Sequence, residues 1–144
     1  MTRRVVLCVP EGMSRIDPDP AETAKRDVEL AYEWDGTGAG VVGWAEGGWT
    51  AWNLAVRHGD LVDRLVLIST PVPDSDEAVP QTVAAKTLLV YGSKDPAGGH
   101  RQATWWKERL GGRIEMTPGA GRDILTEVWP RVLSHLAPRS LRAR

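Results

Sequence analysis

The sequence predicts an α/β protein built on a parallel sheet of about five strands flanked by helices. Three observations carry that expectation. Short continuous runs of β-branched and aliphatic residues recur along the chain, the pattern of strands buried on both faces. Stretches with helical apolar spacing alternate with them, which implies βαβ units and right-handed crossovers. The length of 144 residues, 42% of them hydrophobic and 26% charged, suits one domain (1–144) that removes roughly two-thirds of its unfolded surface from water.

Residues 4–9 (RVVLCV) are the first such run, ended by Pro10; a proline-rich loop follows to Pro20. Asp19 or Pro20 opens a helix expected over residues 21–34, on which Ala24, Val28, Ala31 and Tyr32 follow helical spacing and Glu22 lies in the acid-favouring first turn. After the glycine-rich loop 36–40, Val41 and Val42 read as a very short strand stopping at Gly43. Residues 47–58 form the next helix, with Ala51, Leu54 and Ala55 on one face and Gly59 beyond its end. Residues 64–69 (RLVLIS) and 87–91 (TLLVY) are strands separated by a loop with three prolines. A helix over 100–110, a strand over 113–117 (RIEMT) and a helix over 123–136 complete the alternation. Pro130 either kinks that last helix or restarts it, and the tail from Pro138 reads as frayed.

Composition excludes several classes of function. Eighteen basic and nineteen acidic side chains leave a net charge of −1, a balance with no call for nucleic acid or an anionic membrane as partner. No apolar run approaches the roughly 18 residues of a membrane span. Cys8 is the single cysteine, so an internal disulfide is impossible and a cytoplasmic protein is the default expectation. Cys8 itself reads as a small core residue. His58, His100 and His135 lack metal-ligand spacing, so neither a metal nor a cofactor is expected. The Gly36–Gly40 run precedes a strand rather than following one, which argues against a dinucleotide loop.

The informative stretch is Gly43-Trp44-Ala45-Glu46-Gly47-Gly48, set between a strand and a helix. Small residues around one central position at such a turn are the nucleophile-elbow pattern, G-x-S-x-G. Residues 41–71 as a whole resemble the α/β-hydrolase fold family. Residues 88–96 (LLVYGSKDP) resemble its late strand and acid-bearing loop, and residues 116–122 (MTPGAGR) its last strand and histidine-bearing loop. The resemblance implies an α/β-hydrolase-like core, truncated at the N-terminus and with essentially no cap, since the cap segment shrinks to a loop around residues 73–80. Two registers stay open for residues 4–9. In the favoured one they match the strand that leads into the helix before the elbow, so that the oxyanion loop is missing. In the other they are the central strand, with Pro10-Glu11-Gly12 in place of that loop.

Carried over residue by residue, the triad is incomplete. The nucleophile position is Ala45, which cannot form an acyl-enzyme. The histidine position is Arg122, whose guanidinium stays protonated and cannot act as a general base. The acid is kept as Asp95, expected to meet Arg122 in a bidentate ion pair of structural value. Glu46 is either a general base in a partly closed pocket or a solvated acid at a helix start. Trp44, Trp49 and Trp52 gather around the elbow, to floor an apolar ligand pocket, to cover an interface or to pack the core. Trp44, Glu46 and Trp49 are thus the candidate ligand-binding residues, for an apolar small molecule. If consecutive strands are neighbours, all helices but the last fall on one face, and the barer face predicts a homodimer. The function expected is a hydrolase-like protein without hydrolase activity, a small-molecule-binding or protein-interaction module. The alternatives are lyase- or cyclase-type acid–base chemistry through Asp95 or Glu46, or a weak esterase.

Overall fold

A computed structural model describes residues 2–73 and 83–138. Ten elements follow in chain order: β1 (Arg3–Cys8), α1 (Pro20–Lys25), β2 (Val28–Ala31), β3 (Ala39–Trp44), α2 (Gly47–Arg57), β4 (Val62–Ile68), β5 (Lys86–Gly92), α3 (Gly99–Leu110), β6 (Arg113–Thr117) and α4 (Leu125–Leu136). The six strands make one sheet in the order β2-β1-β3-β4-β5-β6, and every pairing is parallel.

Strand composition explains position in the sheet. The central strands are nearly continuous apolar runs because both their faces are covered. Their period of two divides each run between two cores. Val6, Val41, Leu65, Leu67, Leu89 and Tyr91 face α2 and α3, where they meet Ala51, Ala55 and Trp106. Val5, Leu7, Val42, Val66, Leu88 and Val90 face α4, where they meet Val128, Trp129, Val132 and Leu133. The edge strands β2 (VELA) and β6 (RIEMT) interrupt their apolar residues with charged ones and are only partly buried.

Among the described residues the sheet has six strands, in line with the about five expected. Three expectations change. The segment expected as one helix over 21–34 divides instead: α1 ends at Lys25, Asp27 takes a left-handed conformation (φ 49°), and residues 28–31 become β2. Val28, Leu30 and Tyr32 fit a strand face as well as Val28, Ala31 and Tyr32 fit a helix stripe. A segment this short is ambiguous by periodicity, and the open edge of β1 decides it through the parallel register Arg3↔Val28 to Val6↔Ala31. The very short strand at Val41 and Val42 is six residues long in β3. Finally, β1 pairs directly with the elbow strand, Val5 opposite Gly40 and Cys8 opposite Gly43. Residues 4–9 are therefore the central strand, and the favoured register is overturned in favour of the other.

That strand order also redistributes the helices. The chain runs outward from β1 to β2, then returns past β1 to β3 and continues the opposite way. With right-handed crossovers, reversing direction moves the connecting helix to the other face. So α1 packs beside α4, where Trp129 Nε1 donates to Thr23 Oγ1 at 2.9 Å, while α2 and α3 cover the opposite face. Among the described residues both faces carry two helices, so the barer face on which the expectation of a dimer rested is not seen there. Pro130 lies inside α4, which runs unbroken across it. The reduced cap around residues 73–80 and the tail beyond Pro138 lie almost wholly outside the described residues. Among the described residues, no helix is long and apolar enough to cross a membrane.

Candidate functional site

The reversal of strand order between β1 and β3 sets where a site can form. In an open parallel sheet, a crevice opens at the carboxyl ends of the two strands that flank such a switch point. Here those ends lead into Pro10 and Glu11 after β1, and into Ala45 and Glu46 after β3.

Local sequence makes the second of these a sharp turn. Ala45 has φ 53°, a left-handed conformation that costs a residue with a Cβ about 1–2 kcal/mol. The glycines around it permit the turn by close backbone approach. A Cβ on Gly43 would lie 2.3 Å from the Gly48 Cα, and one on Gly47 would lie 2.2 Å from the Cys8 carbonyl oxygen. The Ala45 amide donates to the Ile68 carbonyl at 2.8 Å, tying the turn to β4. The elbow is thus fully formed, with a methyl group where a nucleophile would stand.

Above it lies an open cleft of about 400 Å³. Its walls are Pro10, Glu11 and Met13 from the loop after β1, Trp44, Ala45 and Glu46 from the elbow, and Arg122 and Asp123 from the loop after β6. The side chain of Arg122 reaches across and donates to Glu46 Oε1. Its backbone carbonyl accepts from Ser69 Oγ at 2.8 Å and from Trp44 Nε1 at 3.4 Å, so the loop after β6 is pinned to β4 and to the elbow. Burial pushes the Glu46 carboxyl up, but its own backbone N–H and the Arg122 guanidinium outweigh burial and hold it below the ordinary carboxylate value. Glu46 is therefore ionised at neutral pH, which makes it a poor general acid. Pro10 has no N–H to offer an oxyanion.

Asp95 stands apart from this pair. It is 6% exposed, and its Oδ1 accepts from the Ala97 amide at 2.9 Å, shaping the turn that leads into α3. Oδ2 has no hydrogen-bond partner among the described residues. The bidentate pair expected between Asp95 and Arg122 does not form. Arg122 engages the half-exposed Glu46, where its guanidinium keeps part of its hydration, whereas burial beside Asp95 would remove it.

The tryptophans of the elbow separate into three environments. Trp44 lines the cleft. Trp49 turns to the other side of the sheet, donates from Nε1 to the Pro71 carbonyl at 2.8 Å and packs on the core beneath α2 and α3. Trp52 is buried edge-to-face against Trp106, with ring centroids 5.8 Å apart. Of the three candidate ligand-binding residues, Trp44 and Glu46 meet at the cleft and Trp49 does not line it. Met13 and Asp123 line it without having been singled out in the sequence, and Glu11 entered only through the second register, which puts Pro10-Glu11-Gly12 in place of the oxyanion loop. Cys8 is buried behind Gly47, and burial pushes its thiol up to about 12 against a smaller opposing pull from Arg15. Among the described residues no group of three or more His, Cys, Asp or Glu side chains is placed to hold a metal ion.

No protein-family model matches the chain, and no curated protein matches it in sequence. Solved structures do match. A predicted CIB-like hydrolase from Thermoplasma acidophilum superposes with a TM-score of 0.72 at 18% identity, over 90% of this chain and 83% of that one. An α/β-hydrolase enzyme from the metagenome of Mar Chica lagoon sediments, in Morocco, gives 0.72 at 12% identity, over 93% and 88%. The 2-hydroxy-6-oxo-6-phenylhexa-2,4-dienoate hydrolase of Rhodococcus sp. strain RHA1 gives 0.72 at 10% identity, over 93% and 90%. At these identities the likeness speaks for the fold alone: the chain has the α/β-hydrolase fold.

Proposed function

We propose that this α/β-hydrolase-fold protein binds a small molecule with an apolar body in the cleft over Ala45 and does not hydrolyse it through a Ser–His–Asp mechanism. One observation carries the reading. At the apex of a correctly formed elbow the residue is Ala45, 1% exposed and without a hydroxyl or thiol, so no covalent intermediate can form there. The rest of the site agrees. Arg122 is held by Glu46 in the place a base would need, and the retained acid, Asp95, serves its own turn. Position at the switch point of the sheet supports binding, because that crevice persists whether or not the triad does.

A panel of p-nitrophenyl esters of increasing acyl length tests the hydrolytic part. The wild-type protein should show no saturable turnover above the buffer rate. Turnover that persists in Asp95→Asn and Glu46→Gln would overturn the reading, because it would require a nucleophile elsewhere. Ala45→Ser alone should also stay inactive, since the histidine position is held by Arg122 and the neighbouring carboxylate, Glu46, is engaged in its ion pair with Arg122. Arg122→His added to it supplies one, and a gain confined to that double variant would locate the lost chemistry at these two positions.

A further inference from the structure

The cleft over Ala45 continues into a second one of about 460 Å³, and the two share Met13, Trp44 and Asp123. Together they form one groove running from the elbow to Leu125 at the start of α4. Its apolar side is unusually open. Met13 is 49% and Ile16 66% exposed, and they are two of the three large hydrophobic residues exposed among the described residues. Each half lies within the roughly 300–1,000 Å³ range of small-molecule clefts.

The charges along this groove are unequal. Four carboxylates line it, those of Glu11, Asp17, Glu46 and Asp123, against one cation, Arg122. That cation is already engaged by Glu46. Asp17 accepts from the Asp19 amide and the Thr23 hydroxyl, both neutral donors that leave its charge uncompensated. Glu11 and Asp123 are exposed and make no ion pair among the described residues. Arg15, the other cation of the loop, turns away to Glu33 at 2.9 Å. Between the two halves stands Trp44, and an indole is the best aromatic partner for a cation.

Resting on the proposed binding role of this site, we propose that the groove selects an amphipathic organic cation: a primary or quaternary ammonium carried on an aromatic or short alkyl body. The body lies on Met13, Ile16 and Leu125, and the ammonium sits near Trp44 between Glu11 and Asp123. An anionic ligand would have only Arg122 to bind, would have to displace Glu46 from it, and would meet Glu11 and Asp123 on the way.

Three probes of nearly equal shape separate the possibilities: 2-phenylethylammonium, 2-phenylethanol and 3-phenylpropanoate. Binding is followed at the indole N–H resonance of Trp44, assigned by its loss in Trp44→Phe. The ammonium should bind at least about tenfold more tightly than the propanoate, with the alcohol between them. Glu11→Gln combined with Asp123→Asn should weaken the ammonium severalfold and leave the alcohol nearly unchanged. Added salt should act in the same way as that double variant. Equal binding of all three probes would refute cation selection while leaving the cleft as a binding site. Tighter binding of the propanoate, abolished in Arg122→Gln, would reverse the assignment. If none of the three moves the Trp44 resonance, the binding role of the cleft fails with it.

Discussion

Replacing Gly47 by alanine tests whether the elbow is set by backbone contact rather than by the identity of residue 45. A Cβ at Gly47 would lie 2.2 Å from the Cys8 carbonyl oxygen, 2.6 Å from its carbon and 2.8 Å from the Val9 Cα. Comfortable contact between such atoms needs about 3.5 Å, so β1 and the start of α2 must separate by roughly 1 Å. Neither can give way easily. Cys8 lies in parallel register opposite Gly43, and α2 is packed on the core through Ala51, Trp52 and Ala55. Overpacking of a close-packed interior costs about 1–3 kcal/mol, and more where backbone must move. Gly47→Ala should therefore destabilise by about 3 kcal/mol, or on the order of 10 °C in Tm for a chain of this size. Gly59→Ala is the control. Its Cβ would meet only the Ala55 carbonyl, at 3.6 Å, so the smaller unfolded-state entropy should leave it neutral or stabilising by about 0.4–1 kcal/mol. Urea unfolding followed by tryptophan fluorescence measures both. A Gly47→Ala variant within about 0.5 kcal/mol of wild type would refute the argument that this backbone approach defines the turn.

Three further outcomes are expected. A double-mutant cycle on Glu46→Gln and Arg122→Gln should give a coupling of about 0.2–1 kcal/mol, because both side chains are more than two-fifths exposed (41% and 45%) and screened; a coupling well above that would mean the pair is closed off from water in solution. The Cys8 thiol, buried and raised to about 12, should react with an aromatic disulfide at pH 8 only as fast as the protein unfolds, and prompt stoichiometric modification of the folded protein would contradict its burial. His135 is held below its ordinary value by burial, which outweighs the opposing hydrogen bond with the Lys86 carbonyl, 2.9 Å away; Arg64 and Arg113 add smaller downward effects and Glu115 a smaller upward one. The folded protein thus binds fewer protons at this site than the unfolded chain. The stability contributed is present above pH 6.5 and is lost as pH falls below it. Unfolding free energies at pH 8 and pH 5.5 should show that loss in wild type and a smaller one in His135→Gln; identical profiles would remove His135 as its source.

Much of the fold was legible because continuous apolar strands and glycine-punctuated turns are local features. The runs in β1, β4 and β5 are buried because of their composition alone, and the elbow is visible because only small residues allow a strand and a helix to approach at Gly43, Gly47 and Gly48. The site was half legible. Ala45, Glu46 and Trp44 belong to the elbow itself, so their meeting was implied by the turn. Glu11, Met13 and Asp123 arrive from two other loops; only the second register of residues 4–9 pointed to Glu11, and nothing near Met13 or Asp123 announces them. The expected pair of Asp95 and Arg122 failed for a related reason. Proximity in a resembling fold does not say which of two carboxylates a long, flexible guanidinium will reach, and hydration favoured the more exposed one.

The sequence by itself determined that the sheet is parallel, that a strand turns sharply into a helix at residue 45, and that neither a nucleophile nor a histidine stands at the matching positions. These are properties of composition and short-range pattern. Only the tertiary structure decided that residues 28–31 are a strand and that β1 lies between β2 and the elbow strand. Strand order depends on which edge each segment finds, and a run of four residues such as VELA satisfies either conformation until a neighbour supplies hydrogen bonds. That single choice placed α1 beside α4, covered both faces of the sheet, and opened the crevice between β1 and β3 in which Trp44, Glu46, Arg122 and the carboxylates of two distant loops come together.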